Sequence, residues 1–399
     1  MEASSRSRLV RAEQREEERV TPLELFFDLV FVLALTQCTA LMAKTPVWEG
    51  LVKGLLVLGV LWWAWVGYAW LTSVVDPEAG AVRLAIFAAM AGYLVAALAI
   101  PNAFGDDGLI FAAAYAFVRI AHIWLFTIAS REDPGLRRSV VGLGVSTSVG
   151  VTLLLVASAT DGALQLVLWG LALGLDAAGP YLIGADGWKL MPAHFAERHG
   201  LILIIALGES IVAIGVGSNA VVDTGVIVAA GVGIGIAAAQ WWIYFDVTVW
   251  VAERQFTEMD PGRDQNELAR DAYSYIHFAM VAGIVLVALG AKKTLEHVGD
   301  DLETVPAVAL VGGAAVYLLG LVAFRLRIRR TLSRTRLVGA LILIAALPLG
   351  LVLPALATLA IVLAVLLGLI VYEFFAYREF RERVRHQLAR DHGEEAAPA

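Results

Sequence analysis

The placement of the thirty Lys and Arg residues constrains this chain more than any other feature. Twelve apolar stretches of roughly 17–25 residues are each long enough to cross a bilayer as a helix. The gaps between them, numbered alternately from the N-terminal tail, divide the basic residues unequally. One side takes 25 and the other only Lys44, Lys53, Lys292 and Lys293, while Arg119 lies inside a stretch. Basic residues near helix ends stay in the cytoplasm, so this partition predicts an even number of spans with both termini cytoplasmic. The expected fold class is all-α, a polytopic membrane protein of about twelve transmembrane helices.

Composition agrees. The chain is 59% hydrophobic and 17% charged, against about 25% charged in soluble domains. The acidic residues that set its net charge of −7 lie in loops and tails, so no nucleic-acid partner is expected. The lipid bilayer is the evident partner, with a small solute or cation as a possible second. No cofactor is expected. The single cysteine, Cys38, lies in the first span and rules out an intramolecular disulfide. The first 21 residues are too polar for a cleavable signal peptide.

The stretches run roughly over 22–43, 50–73, 83–103, 108–129, 138–158, 162–183, 200–217, 225–249, 273–291, 305–324, 336–353 and 355–377. Residues 1–21 read as a cytoplasmic tail, 22–183 as one six-helix half and 184–199 as a cytoplasmic linker. Residues 200–377 form the second half, and 378–399 a charged tail. A polar cytoplasmic loop is expected over 251–272. Two halves are suggested by recurrences: Trp62-Trp63 with Trp241-Trp242, Phe87 to Met90 with His277 to Met280, and Asp28 with Glu209. Since six is even, the halves would share one orientation, as in transporters with parallel repeats. The basic run from Arg325 to Arg336 is read as a topology determinant that contacts anionic lipid.

Ionisable side chains inside spans are expensive and normally face a bundle interior or watery cavity. Asp28, Arg119, His122, Asp176 and Glu209 are the candidates. At 1.5 Å per residue, Asp28 is expected about 9 Å and Glu209 about 13 Å from the cytoplasmic side. Arg119 and Asp176 fall near mid-depth, so the four could converge on one layer. Asp28 and Glu209 would be paired acids that bind a proton or cation, with Arg119 as counter-charge and Asp176 auxiliary. A structural ion-pair network is the competing reading. Thr21-Pro22-Leu23-Glu24 has the spacing of a capping box, and Glu24 shares a helix face with Asp28. In His194-Phe-Ala-Glu-Arg-His199 the two histidines are five apart, off one helical face, so no metal site is expected there. Gly231, Gly233 and Gly235 suggest close helix packing. No phosphate loop, Gly-x-Ser-x-Gly elbow or His-Glu-x-x-His motif is present.

Two segments resemble a known family. Residues 22–37, PLELFFDLVFVLALTQ, are similar to the opening signature of the bacterial low-temperature-requirement A (LtrA) family, and residues 194–214 to its second signature. The resemblance carries the family pattern onto Glu24, Phe27, Asp28, His194, Glu197, Arg198, Gly208 and Glu209. Phe27, His194, Glu197, Arg198 and Gly208 would then act as a motif or cytoplasmic gate. It implies a bacterial inner membrane, and it supplies a growth phenotype in the cold rather than a substrate. Phe27-Asp28 after Arg19 also resembles the start of a potassium-channel family, without that family's serine. The leading expectation is an ion- or proton-coupled transporter of small solutes, or an ion pathway. A non-catalytic protein supporting the envelope through lipid or a partner is the alternative, and a membrane-embedded enzyme using Glu197 or Glu209 is a third.

Overall fold

The computed structural model describes residues 19–217 and 223–379; both tails expected from the sequence lie largely outside the described residues. Helices are α1 Pro22–Lys44, α2 Trp48–Thr72, α3 Gly80–Ala99, α4 Gly108–Ala129, α5 Pro134–Ala157, α6 Gly162–Ile183 and α7 Pro192–Gly217. There follow α8 Thr224–Phe245 with its extension α9 Thr248–Thr257, and α10 Arg263–Leu268. A π-helical segment, Ala269–Ile276, joins α10 to α11 His277–Glu296. The series ends with α12 Thr304–Arg329, α13 Arg334–Gly350 and α14 Ala355–Ala376. Among the described residues, eleven helical stretches are long and apolar enough to cross a membrane. The twelfth, α13, has 17 residues, at the lower end of what a span needs. The molecule is thus a multi-pass helical membrane protein.

Three boundaries differ from expectation. Pro134 and Pro192 open α5 and α7, a position where proline's missing N–H would be unpaired anyway. Polar first turns therefore belong to these helices, and the connection after α6 shortens to 184–191. The loop expected over 251–272 is mostly helix, α9 and α10 with a short turn between them. Its polarity marks helix protruding from the bilayer, which hydropathy alone reads as loop.

Burial orders the bundle. Helices α2, α12 and the α10–α11 unit are the most enclosed, whereas α5, α6 and α14 face outward. Within residues 22–183, α1 packs on α2 and α3, α3 on α4, α4 on α5, α5 on α6, and α6 returns to α2. Within 192–376, α7 packs on α8 and α11, α11 on α12, α12 on α13, α13 on α14, and α14 returns to α8. The neighbour scheme of the first six helices recurs in the second six. Across the middle, α1 packs on α7 and α11.

Candidate functional site: the α1–α7 seam

Helix α1 begins with the capping box read from the sequence. The Thr21 hydroxyl accepts from Glu24 N, and Glu24 Oε2 accepts from Thr21 N at 2.9 Å. The same carboxylate accepts from His194 Nε2 of α7, 2.9 Å from Oε1. Glu24 is therefore both cap and cross-helix partner. One turn on, Asp28 is fully buried and receives two donors on Oδ1: Arg198 Nη2 at 2.5 Å and Trp65 Nε1 at 2.8 Å. Arg198 Nη1 also donates to Thr72 Oγ1 at 3.0 Å and lies 3.6 Å from Glu24. Its guanidinium sits over the Trp65 ring at 5.5 Å. Among the described residues, Asp28 Oδ2, Arg198 Nε and His194 Nδ1 have no protein partner. Buried polar atoms of this kind commonly hold ordered water.

Further along the seam stands Glu209, 1% exposed. Its carboxylate accepts from the Thr36 hydroxyl, and Thr39 also bonds to it. Among the described residues no Lys, Arg or His lies within ion-pair distance of it. Lys292, near the C-terminal end of α11, acts on it from farther away. This departs from the expected single layer. Because α7 starts at Pro192, Glu209 lies about 25 Å along it and meets Thr36, about 12 Å beyond Asp28 on α1. Asp28 and Glu209 do not touch. Between them the residues buried at the seam are apolar, among them Phe31, Leu35, Ile202, Leu203 and Ala206.

Arg119 of α4 and Asp176 of α6 form a separate pair. Arg119 Nη2 lies 3.0 Å from Asp176 Oδ1, and Thr147 bonds to both. His122 Nε2 donates to Gly67 O at 2.9 Å and ties α4 to α2. Arg119 is thus a counter-charge to Asp176, and neither residue is brought to Asp28 or Glu209. Of the other motif residues, Phe27 packs in the core against Tyr68 and Tyr93. Glu197 is exposed and accepts from Val20 N at 3.0 Å. An added Cβ at Gly208 would meet nothing within 4 Å. Thr72, Thr36 and Thr39 are missed by sequence reasoning, and Trp65, one of several tryptophans at mixed helical angles in α2, is a partner of Asp28. Thr39 follows Asp28 by eleven residues, three helical turns, which was the signal available.

The seam has one further regularity. Glu24 and His194 are 170 residues apart, as are Asp28 and Arg198, and Thr39 and Glu209, and so are the opening prolines Pro22 and Pro192. Two helices that run parallel and in register make contacts of this constant offset, although the Thr36–Glu209 bond, at 173, departs from it.

Fold and site together define a multi-pass helical membrane protein with a charged seam between its first and seventh long helices. The profile of the bacterial low temperature requirement A protein (LtrA) family matches residues 19–371, and the chain belongs to that family. It is 28% identical over 393 residues to an uncharacterized protein of Rhizobium meliloti (strain 1021), covering 95% of each chain. No solved structure matches significantly.

Proposed function

We propose that the protein is an ion- or proton-coupled transporter of small solutes, or an ion pathway, of the bacterial cytoplasmic membrane. Two six-helix halves would move against each other at the α1–α7 seam, with both termini in the cytoplasm. Glu209 carries this reading: it is a carboxylate buried within a span, held by hydroxyls, with no counter-ion in contact among the described residues. A buried unpaired charge is costly, and binding a proton or monovalent cation removes the cost. The recurring neighbour scheme and the contacts at a constant offset of 170 support the two halves. The Glu24–His194 and Asp28–Arg198 pairs would act as the gate on the opposite side of the apolar stretch.

The second reading, a non-catalytic protein that serves the envelope by binding lipid or a partner, is favoured by the pairing of Asp28 and Asp176 with buried arginines. Ion and proton flux in proteoliposomes, wild type beside Glu209→Gln, separates the two. Flux that disappears in a folded Glu209→Gln protein supports the pathway. Absence of flux under H⁺, Na⁺ and K⁺ gradients removes a simple ion pathway and favours the second reading.

A further inference from the structure

At the Arg-rich end of the last helices, α9 and the ends of α8, α12, α13 and α14 enclose a cavity of about 380 Å³. That size is in the range of small-molecule sites. Its floor is apolar, with Ile243, Phe324, Ile328 and Ile370. Its rim carries Arg325, Arg329 and Arg336, against two carboxylates, Asp246 and Glu373. Arg336 is a fixed strut, 8% exposed. Its Nε lies 3.2 Å from Glu373, its Nη1 donates to Thr248 at 2.8 Å, and its Nη2 donates to Ile243 O at 3.1 Å. Glu373 is thereby taken up. Arg325 donates to an uncharged partner, Thr331 Oγ1 at 3.3 Å, and Arg329 is exposed. Asp246 has contacts of its own. Among the described lining residues, three guanidiniums face two carboxylates, a net positive rim.

We propose that this cavity binds the headgroup of an anionic phospholipid from the adjoining leaflet, with the start of its acyl chain on the apolar floor. An apolar floor under a cationic rim fits an amphiphile better than a free anion. The wall includes Trp242 and Tyr377, 38% and 41% exposed, residue types that sit at membrane–water interfaces. Basic pockets between helices at this level suit acidic headgroups.

The first half holds a telling counterpart, on the two-half reading. There α2, α4, α5 and α6, closed by Trp188 and by Asn266, Arg270 and Ser274 of the α10–π segment, surround a cavity of only about 40 Å³ at Trp63, Arg119 and His122. Each half has a buried Arg bound to a carboxylate of its last helix, Arg119 with Asp176 and Arg336 with Glu373. Trp63, Arg119 and His122 each keep one buried polar atom unpartnered, so the small cavity suits water. The lipid proposal itself needs only the second cavity and its charges.

The test is the melting temperature of purified protein in neutral detergent, titrated with dioctanoyl phosphatidylglycerol, dioctanoyl phosphatidylcholine or inorganic phosphate. Phosphatidylglycerol is expected to raise it saturably, and the other two are not. Each rim arginine removed should weaken half-saturation about fivefold, roughly thirtyfold for Arg325→Gln with Arg329→Gln. Equal shifts from both lipids, a full shift from inorganic phosphate, or an unchanged titration in the double variant would overturn the proposal. Should that variant not fold, Ile370→Trp fills the cavity and leaves every charge in place. It must abolish the phosphatidylglycerol shift, and retention overturns the assignment.

Discussion

Asp28 and Glu209 look alike in sequence, each an acid within an apolar helix, yet their surroundings assign them different work. Asp28 neutralises Arg198 in a site closed to solvent. Asp28→Asn takes from a buried guanidinium its nearest carboxylate and leaves it only Glu24, at 3.6 Å; it is expected to destabilise the protein by up to about 3–5 kcal/mol, read as a lowered melting temperature in detergent. Glu209→Gln keeps an acceptor for Thr36 and removes only an uncompensated charge. Its melting temperature should stay at or above wild type while proteoliposome flux is lost. A Glu209→Gln protein that melts well below wild type would mean the charge is structural. Both acids were legible from composition alone; their partners were not. Depth was reckoned from an assumed helix start at 200, eight residues late, which displaced Glu209 by about 12 Å. The polar first turn of α7, His194 to His199, hid the true start because hydropathy cannot distinguish a helix leaving the membrane from a loop.

Close approach between helices is concentrated at the α11–α12 crossing. A Cβ on Gly283 would lie 2.7 Å from Gly313 O, and one on Gly313 2.8 Å from Gly283 O. Backbone meets backbone there, with no flexible side chain to yield. Gly283→Ala is expected to cost about 1–3 kcal/mol through overpacking. Gly231→Ala, where an added Cβ meets nothing within 4 Å, should be neutral or slightly stabilising, because alanine loses less backbone freedom in a helix. Melting temperatures of the two variants check the contrast. The glycine-rich run in α8 drew attention in the sequence, yet Gly231 is open, while Gly233 and Gly235 abut only side chains, Ile214 and Leu363. Glycine frequency shows where helices are able to approach; only the partner's position shows where they do. The π-helical segment before α11 was likewise invisible. It is held by donors from a distant helix, Trp62 Nε1 to Ser274 O at 2.8 Å and Trp70 Nε1 to Ser274 Oγ at 3.1 Å.

At the scale of the whole molecule, the multi-pass fold was legible because a bilayer imposes length and hydropathy on each span, and the antiparallel run of helices follows from short connections. Orientation is the prediction at this scale. The charge partition expects reporters inserted at 330–333 to be cytoplasmic and those at 297–303 to be external. Reporters of periplasmic and cytoplasmic folding at these two sites decide it, and the reverse pattern would refute the assignment.

The contacts at a spacing of 170 residues have a consequence for how such a molecule can be assembled. On a two-fold axis every residue of a self-paired copy meets its own duplicate. Two first halves would set Glu24 against Glu24 and Asp28 against Asp28, and two second halves would oppose Arg198 to Arg198. Neither could close without burying like charges side by side. On the two-half reading, the acids of α1 and the bases of α7 therefore favour the pairing of unlike halves over the pairing of like ones.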